Sequence, residues 1–229
     1  MIVSQELDPT ADEVVLALGE RGVPVFRIDR AWFPQRLTLE AELRGTRWAG
    51  CLQSAQRRVE LENIHSVWHR WRSTFALSPQ LSRPDRHTRL ITDEDLTDLD
   101  QVALTAHQVQ HYVDKTMDVR VVIVGDRIFP VAIHPLSQAA RIDFRTDYRA
   151  LRHEVIELPD AVEQGIRRFM TESGLLLASM DFSVDRDGRY YFLESNPAGG
   201  QYGWLEAKTG VPLTEAVADL LAQGGSGSL

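Results

Sequence analysis

The residues best suited to chemistry lie in the last third of the chain, in Met180-Asp181-Phe182-Ser183-Val184-Asp185-Arg186-Asp187-Gly188-Arg189-Tyr190-Tyr191-Phe192-Leu193-Glu194-Ser195-Asn196-Pro197. Apolar runs flank Asp187-Gly188, the dipeptide suited to the two positive-φ positions of a type I′ hairpin turn. That turn sets a register in which Arg186 faces Arg189, Val184 faces Tyr191, Phe182 faces Leu193 and Asp181 faces Glu194. Cross-strand partners share a face of a sheet. Phe182, Val184, Tyr191 and Leu193 then form one apolar face, and Asp181, Ser183, Glu194 and Asn196 take the other. Two carboxylates and an amide oxygen meet at one end of the hairpin.

Like charges directly opposite on a ladder repel. A hard divalent cation removes the conflict, because Mg²⁺ accepts carboxylate and amide oxygens and fills its remaining positions with water and phosphates. An ordinary solvated hairpin end fits the same pairing. A third reading is a calcium loop, since Ser183-x-Asp185-x-Asp187-Gly188 followed by Glu194 has the spacing D-x-[DN]-x-[DN]-G-x₅-E with Ser in first place. Such a loop needs a helix on each side, whereas Tyr190-Tyr191-Phe192-Leu193 favours a strand.

The elements that must position these groups are legible in outline. Asp8-Pro9 reads as a helix N-cap with proline at the first helical position; Ala11, Val14, Val15 and Leu18 follow at helical spacing, and Gly22 ends the element. With Met1-Ile2-Val3 before it and a strand over Val23 to Ile28 after it, this is the β-α-β start of an α/β layer. Leu37, Leu39, Ala41 and Leu43 alternate with Thr38, Glu40, Glu42 and Arg44, which predicts a half-buried antiparallel strand. Trp48 to Leu52 is another strand. Ser66 to Arg72 is both aromatic and basic, and reads as a strand end with a cation-π surface. Pro79 and Pro84 break the pattern between Ser73 and Arg89, which marks a boundary. Acidic residues from Thr92 to Asp100 read as a solvated turn or short helix. Val119 to Val124, Gly125-Asp126 and Arg127 to Ile133 form a second hairpin. Asp160 caps a helix with Val162, Ile166, Phe169 and Met170 in one stripe and Gly174 at its end. The pattern is an α+β layered protein.

Bulk properties narrow the function classes. The chain has 229 residues, enough for one large domain or two small ones, and a net charge of −8. That sign argues against nucleic acid and anionic membranes as partners. The single cysteine, Cys51, excludes an intrachain disulfide framework and reads as a small buried apolar residue. No apolar run has the length of a membrane span and no signal segment opens the sequence, so a cytoplasmic location is expected.

The combined order of motifs resembles a known family. Gln110-His111-Tyr112-Val113-Asp114-Lys115, Asp118-Val119-Arg120, Val124-Gly125-Asp126, Asp143-Phe144-Arg145, Asp181, Phe192-Leu193-Glu194-Ser195-Asn196-Pro197 and Gly203-Trp204-Leu205-Glu206 are similar to the C-terminal half of an ATP-grasp ligase. The nearest likeness is to the ATP-grasp ribosomal peptide maturases, which make lactone and lactam cross-links in graspetides such as the microviridins. Asp8 to Asp12, Val23 to Asp29 and Ser66 to Arg70 resemble the pre-ATP-grasp domain of the same maturases.

The resemblance implies residues 1–77 as a pre-ATP-grasp-like α/β domain and residues 88–229 as an antiparallel ATP-grasp C-terminal domain carrying a metal and phosphate half-site. It implies Asp181, Glu194 and Asn196 as ligands of Mg²⁺ or Mn²⁺, and Arg120 and Arg145 as residues facing the phosphates of ATP, where they would serve catalysis. Taken alone, each arginine reads more readily as a surface salt bridge than as a functional group. His111, Tyr112 and Val113 match the adenine hinge and Asp118 a residue near the ribose. The implied activity is an ATP-dependent ligase that activates a carboxylate of a ribosomally made precursor peptide as an acyl phosphate for an amine or hydroxyl; a homo-oligomer is compatible with it. The family also places a lysine-bearing subdomain with a glycine-containing flap before the hinge. Here Lys115 and Lys208 are the only lysines and no glycine lies between Gly50 and Gly125. That departure implies weak or lost turnover, and keeps open a non-catalytic peptide-binding protein.

Overall fold

The computed structural model describes residues 1–45, 47–70, 113–142 and 144–224. The boundary at Ser73 to Arg89, the acidic stretch from Thr92, and His111, Tyr112 and Asp143 lie outside the described residues.

The N-terminal layer is a parallel sheet in the order β2-β1-β6, with β1 Ile2–Val3, β2 Arg27–Ile28 and β6 Trp68–His69. Helix α1, Pro9–Glu20, begins as expected: Asp8 is its N-cap and accepts from the Ala11 amide at 3.2 Å. The strand expected over Val23 to Ile28 shrinks to Arg27–Ile28 because its partner β1 is two residues long, and Pro24 lacks a ladder donor. A second sheet, β3-β4-β5, holds β3 Leu37–Arg44, β4 Arg47–Ser54 and β5 Arg58–Glu60. The alternation in β3 is real but only Leu37 is buried; Leu39 and Leu43 are 53% and 58% exposed. Val3, Phe26 and Ile28 cover the base of this sheet, and nothing described packs over its far half.

The C-terminal sheet has the order β11-β10-β7-β8-β9, from β7 Lys115–Val124, β8 Arg127–Pro135, β9 Leu151–Val155, β10 Leu177–Asp185 and β11 Tyr190–Asn196. All its pairings are antiparallel. Helix α2, Gln138–Ile142, and a 3₁₀ turn, Phe144–Thr146, lie between β8 and β9. On one face Val119, Val121, Met180 and Phe182 meet Ile166 and Met170 of α3, Asp160–Ser173. Asp160 is the first residue of that helix and makes no capping bond; the N-cap is Pro159, while Gly174 ends it in the left-handed conformation with φ 63°. Phe169 of the predicted stripe is 39% exposed.

The opposite face is divided. At one end Val122, Val124, Val131 and Leu177 pack with α4, Gly203–Thr209, and α5, Leu213–Gln223. Ile2, Ala11, Val14 and Trp68 belong to the same core, so α1 and the parallel sheet close against this domain through apolar contact. The other end of that face carries the polar side chains. Among the described residues no helix is long and apolar enough to cross a membrane.

Candidate functional site

Three strands build the site. Asp181 of β10 pairs with Arg120 of β7 on one side and Glu194 of β11 on the other, so the three side chains share one face. Ser183 pairs with Asp118, and Ser179 with Asn196, extending the same polar strip.

The hairpin reaches the expected Asp181–Glu194 pairing by a different route. The turn is not type I′, because Gly188 has φ 77° while Asp187 has no positive φ. Asp185 accepts from the Asp187 and Arg189 amides, each at 2.9 Å, and from the Tyr191 hydroxyl at 3.0 Å. These bonds draw Arg186-Asp187-Gly188 into a three-residue loop closed by Asp185 N–H to Arg189 O at 3.1 Å, with glycine at its left-handed position. Val184 therefore faces Tyr190, and Phe182 faces Phe192 rather than Leu193. A β-bulge between Asp181 and Phe182 then restores the count by leaving Leu193 over. Without that extra residue's displacement Glu194 would follow the strand onto the α3 side; the bulge re-aims it at Asp181. Tyr191 lies on the polar side of the strand, and Phe192 packs beside Phe182 with ring centroids 5.6 Å apart. The calcium-loop reading fails, because strands flank the motif and Ser183 donates to Asp118 at 2.9 Å.

The charges are already paired. Arg120 donates from Nε and Nη2 to the two oxygens of Asp181, at 2.7 and 2.8 Å, with side chains only 14% and 11% exposed. This is a largely buried, charge-assisted bidentate pair, not a surface salt bridge. Its guanidinium carbon lies 5.7 Å from the ring centroids of both Phe144 and Trp204. Lys115 donates to Asp118 at 2.6 Å, and Ser183 takes the other carboxylate oxygen. Glu194 is exposed and accepts from Asn196 Nδ2 at 3.3 Å. His153 of β9 stacks edge-on against Trp204, and its titration is pushed down by burial, then by Lys208 and His134. The Ser179 hydroxyl is buried at the floor with no hydrogen-bond partner among the described residues.

This donor set fits a hard divalent cation: two cross-strand carboxylates and an amide oxygen on one sheet face, on the same polar strip as the unpartnered Ser179 hydroxyl. No cluster of three His, Cys, Asp or Glu side chains able to hold a metal occurs among the described residues. The site would therefore lean on Asn196 and on oxygens brought by a ligand.

The sequence-derived candidates divide as follows. Asp118, Arg120, Asp181, Glu194 and Asn196 come together on one face. Arg145 sits in the 3₁₀ turn next to Phe144. Val113 precedes β7, and His111 and Tyr112 lie outside the described residues. Lys115 is held by Asp118. Ser179, Phe144, Trp204 and His153 were given no role from the sequence; strand parity from Asp181 identifies Ser179, while the others arrive from distant elements.

Behind the site, Arg70 and Asp8 form an ion pair with side chains 1% and 6% exposed. The Arg70 guanidinium lies 4.7 Å from the Trp68 ring, so the expected cation-π contact is present but buried, while Val67 and His69 of the same segment stay exposed. A cavity of about 440 Å³ opens there, lined by Gln5, Leu7, Thr10, Arg70, Gln201 and Trp204.

A family model described as the MvdD pre-ATP grasp domain matches residues 1–120. The chain is similar to the macrocyclase MdnC bound with precursor peptide MdnA, from Microcystis aeruginosa MRC, with a TM-score of 0.78 and 20% identity over 98% of this chain and 99% of that one. A Chryseobacterium gregarium RiPP-associated ATP-grasp ligase, in complex with ADP and a leader and core peptide, gives a TM-score of 0.77 at 17% identity, covering 100% and 98%. Macrocyclase MdnB from Microcystis aeruginosa MRC gives 0.73 at 21%, covering 97% and 98%. At these identities the likeness is one of fold. No curated protein sequence matches.

Proposed function

Because the chain belongs to the MvdD pre-ATP-grasp family, we propose that it is an ATP-grasp ligase-type maturase acting on a ribosomally made precursor peptide. The observation that carries this reading is the polar strip at one end of the C-terminal sheet, where Arg120, Asp181, Glu194 and Asn196 share a face. The proposed reaction joins a peptide carboxylate to an amine or hydroxyl of the same peptide, through an acyl phosphate made from ATP.

In this reading Asp181, Glu194 and Asn196 hold Mg²⁺ or Mn²⁺, which when bound offsets the charge that develops on phosphoryl oxygens. Arg120 and Arg145 receive phosphate oxygens, and the Arg120 guanidinium, near the rings of Phe144 and Trp204 on a side chain only 14% exposed, is partly shielded from water, where its charge acts more strongly. Asp118, anchored by Lys115 and Ser183, stays rigid beside them. The cavity lined by Gln5, Thr10 and Gln201 offers amide and hydroxyl groups to a peptide. A second reading, peptide binding without turnover, has one specific support: of the only two lysines, Lys115 is committed to Asp118.

Titration calorimetry with Mg-ATP, followed by mass spectrometry of a precursor peptide incubated with the protein and Mg-ATP, tests the proposal. Heat of binding and a peptide that has lost water support the ligase. Peptide binding with no water loss selects the second reading, and absence of both nucleotide and peptide binding refutes the proposal.

A further inference from the structure

We propose that Arg120 is an internal counter-ion that keeps the metal position closed, so that the site accepts a divalent cation only together with a polyanion that draws Arg120 away. The inference rests on the ligase reading for the identity of the polyanion, a nucleotide phosphate chain.

Both oxygens of Asp181 are engaged by Arg120, at 2.7 and 2.8 Å. A cation arriving next to Asp181 meets the guanidinium charge on the same carboxylate and is repelled. The second inner carboxylate, Asp118, is neutralised by Lys115. Glu194 alone remains exposed, with Asn196 beside it. One exposed carboxylate and one amide oxygen hold Mg²⁺ weakly, since such sites draw further ligands from substrate phosphates. The three carboxylates Asp118, Asp181 and Glu194 set against Lys115 and Arg120 leave a strip of net charge near −1.

Arg120 is also placed to move. Its guanidinium carbon lies 5.7 Å from the ring centroids of both Phe144 and Trp204, and these aromatic faces attract the cation without fixing it by hydrogen bonds. Phosphate oxygens offer the same bidentate geometry as Asp181. Transfer of Arg120 from carboxylate to phosphate would free Asp181 at the moment a negatively charged ligand needs a cation. Metal and polyanion then favour each other's binding, and by linkage the coupling is reciprocal.

The test uses Mn²⁺ alone as probe, its free-ion spin-resonance signal reporting uptake by wild type, Arg120→Gln and Arg120→Ala, with circular dichroism to confirm the fold. Arg120→Gln keeps an amide donor for Asp181 while removing the charge. Removing the counter-ion should tighten Mn²⁺ binding by about 10- to 100-fold, the range that a hydrogen bond to a charged group carries. Equal Mn²⁺ affinity in wild type and folded variants, with ADP still bound, overturns the counter-ion role and leaves the ligase reading standing. No Mn²⁺ uptake in any variant, with or without ADP, removes the metal site and this inference with it. A second measurement needs no variant: the Nε–H resonance of Arg120 in the wild-type protein should shift on addition of ADP with Mg²⁺ and not with Mg²⁺ alone. A shift with Mg²⁺ alone overturns the proposal.

Discussion

Replacing Arg70 by alanine should unfold this protein more readily than any other single change near the site, and the size of the effect follows from the geometry. Arg70 donates from Nε to Asp8 Oδ2 at 2.6 Å, from Nη2 to Asp8 Oδ1 at 3.2 Å and from Nη1 to the Gly200 carbonyl at 3.4 Å. Both side chains are almost fully buried. Truncation leaves the Asp8 carboxylate in the interior without its cation, which costs about 3–5 kcal/mol, and also removes the contact with the Trp68 ring. Against a total stability of roughly 5–15 kcal/mol, that is at least about a fifth of the whole. The double variant Asp8→Ser with Arg70→Met separates charge from packing. Serine still caps α1, methionine refills the space, and removing both charges of a buried pair is often close to neutral; its cost should be about 1 kcal/mol. Urea unfolding followed by tryptophan fluorescence measures both. A loss below about 1 kcal/mol in Arg70→Ala, or a double variant as unstable as the single one, would refute the argument that the buried charge and not the packing dominates.

Other expected outcomes are simpler to state. Glu194→Ala should abolish Mn²⁺ uptake in the presence of ADP while changing stability by no more than about 0.5 kcal/mol, because Glu194 is exposed; unchanged uptake would dismiss Glu194 as a ligand. Gly50→Ala should cost about 3 kcal/mol or more in urea unfolding, since a Cβ there meets the Glu40 carbonyl oxygen at 2.0 Å and the backbone has φ 145°. Gly188→Ala should cost only about 1–2 kcal/mol, having φ 77° but open space around it; equal costs at the two glycines would contradict the steric account. His153 titrates below its ordinary value chiefly because of burial. The unfolded chain therefore binds more protons than the folded one just below the ordinary histidine value of about 6.5, and stability should fall as pH drops through that window. His153→Gln should flatten this part of the stability profile, and an unchanged slope would rule His153 out as its source.

Much of the local structure was written in short-range chemistry. Asp8-Pro9 starts α1, Gly174 ends α3, and Gly125-Asp126 turns β7 into β8, each through a backbone or capping preference that acts within a few residues. The pairing of Asp181 with Glu194 was also legible, although the turn that closes the hairpin is not the type I′ turn its dipeptide suggests. An Asp185 side chain that caps its own loop displaces the ladder by one residue, and the bulge beside Leu193 brings it back. The two displacements cancel at Asp181, which is why a turn of the wrong type still located the right pair.

Alternation in a sequence says which side chains share a face but not whether anything lies over that face. In β3 the period is correct, while Leu39 and Leu43 stay exposed because, among the described residues, the packing partners reach only the base of that sheet. In the segment from Ser66 to Arg70 the strand end and the cation-π contact are both present, with Val67 and His69 exposed, but Trp68 and Arg70 turn inward, since Asp8, more than sixty residues away in sequence, supplies the counter-charge. Arg120 was identifiable by its place in the chain, but its partner Asp181 and the flanking Phe144 and Trp204 come from three separate elements. Residue type and spacing determine turns, caps and strand faces because those depend on neighbours along the backbone. Charge pairing and burial are decided by groups that meet only when the sheets close on their helices, so only the tertiary structure settles which carboxylate is open and which is already held.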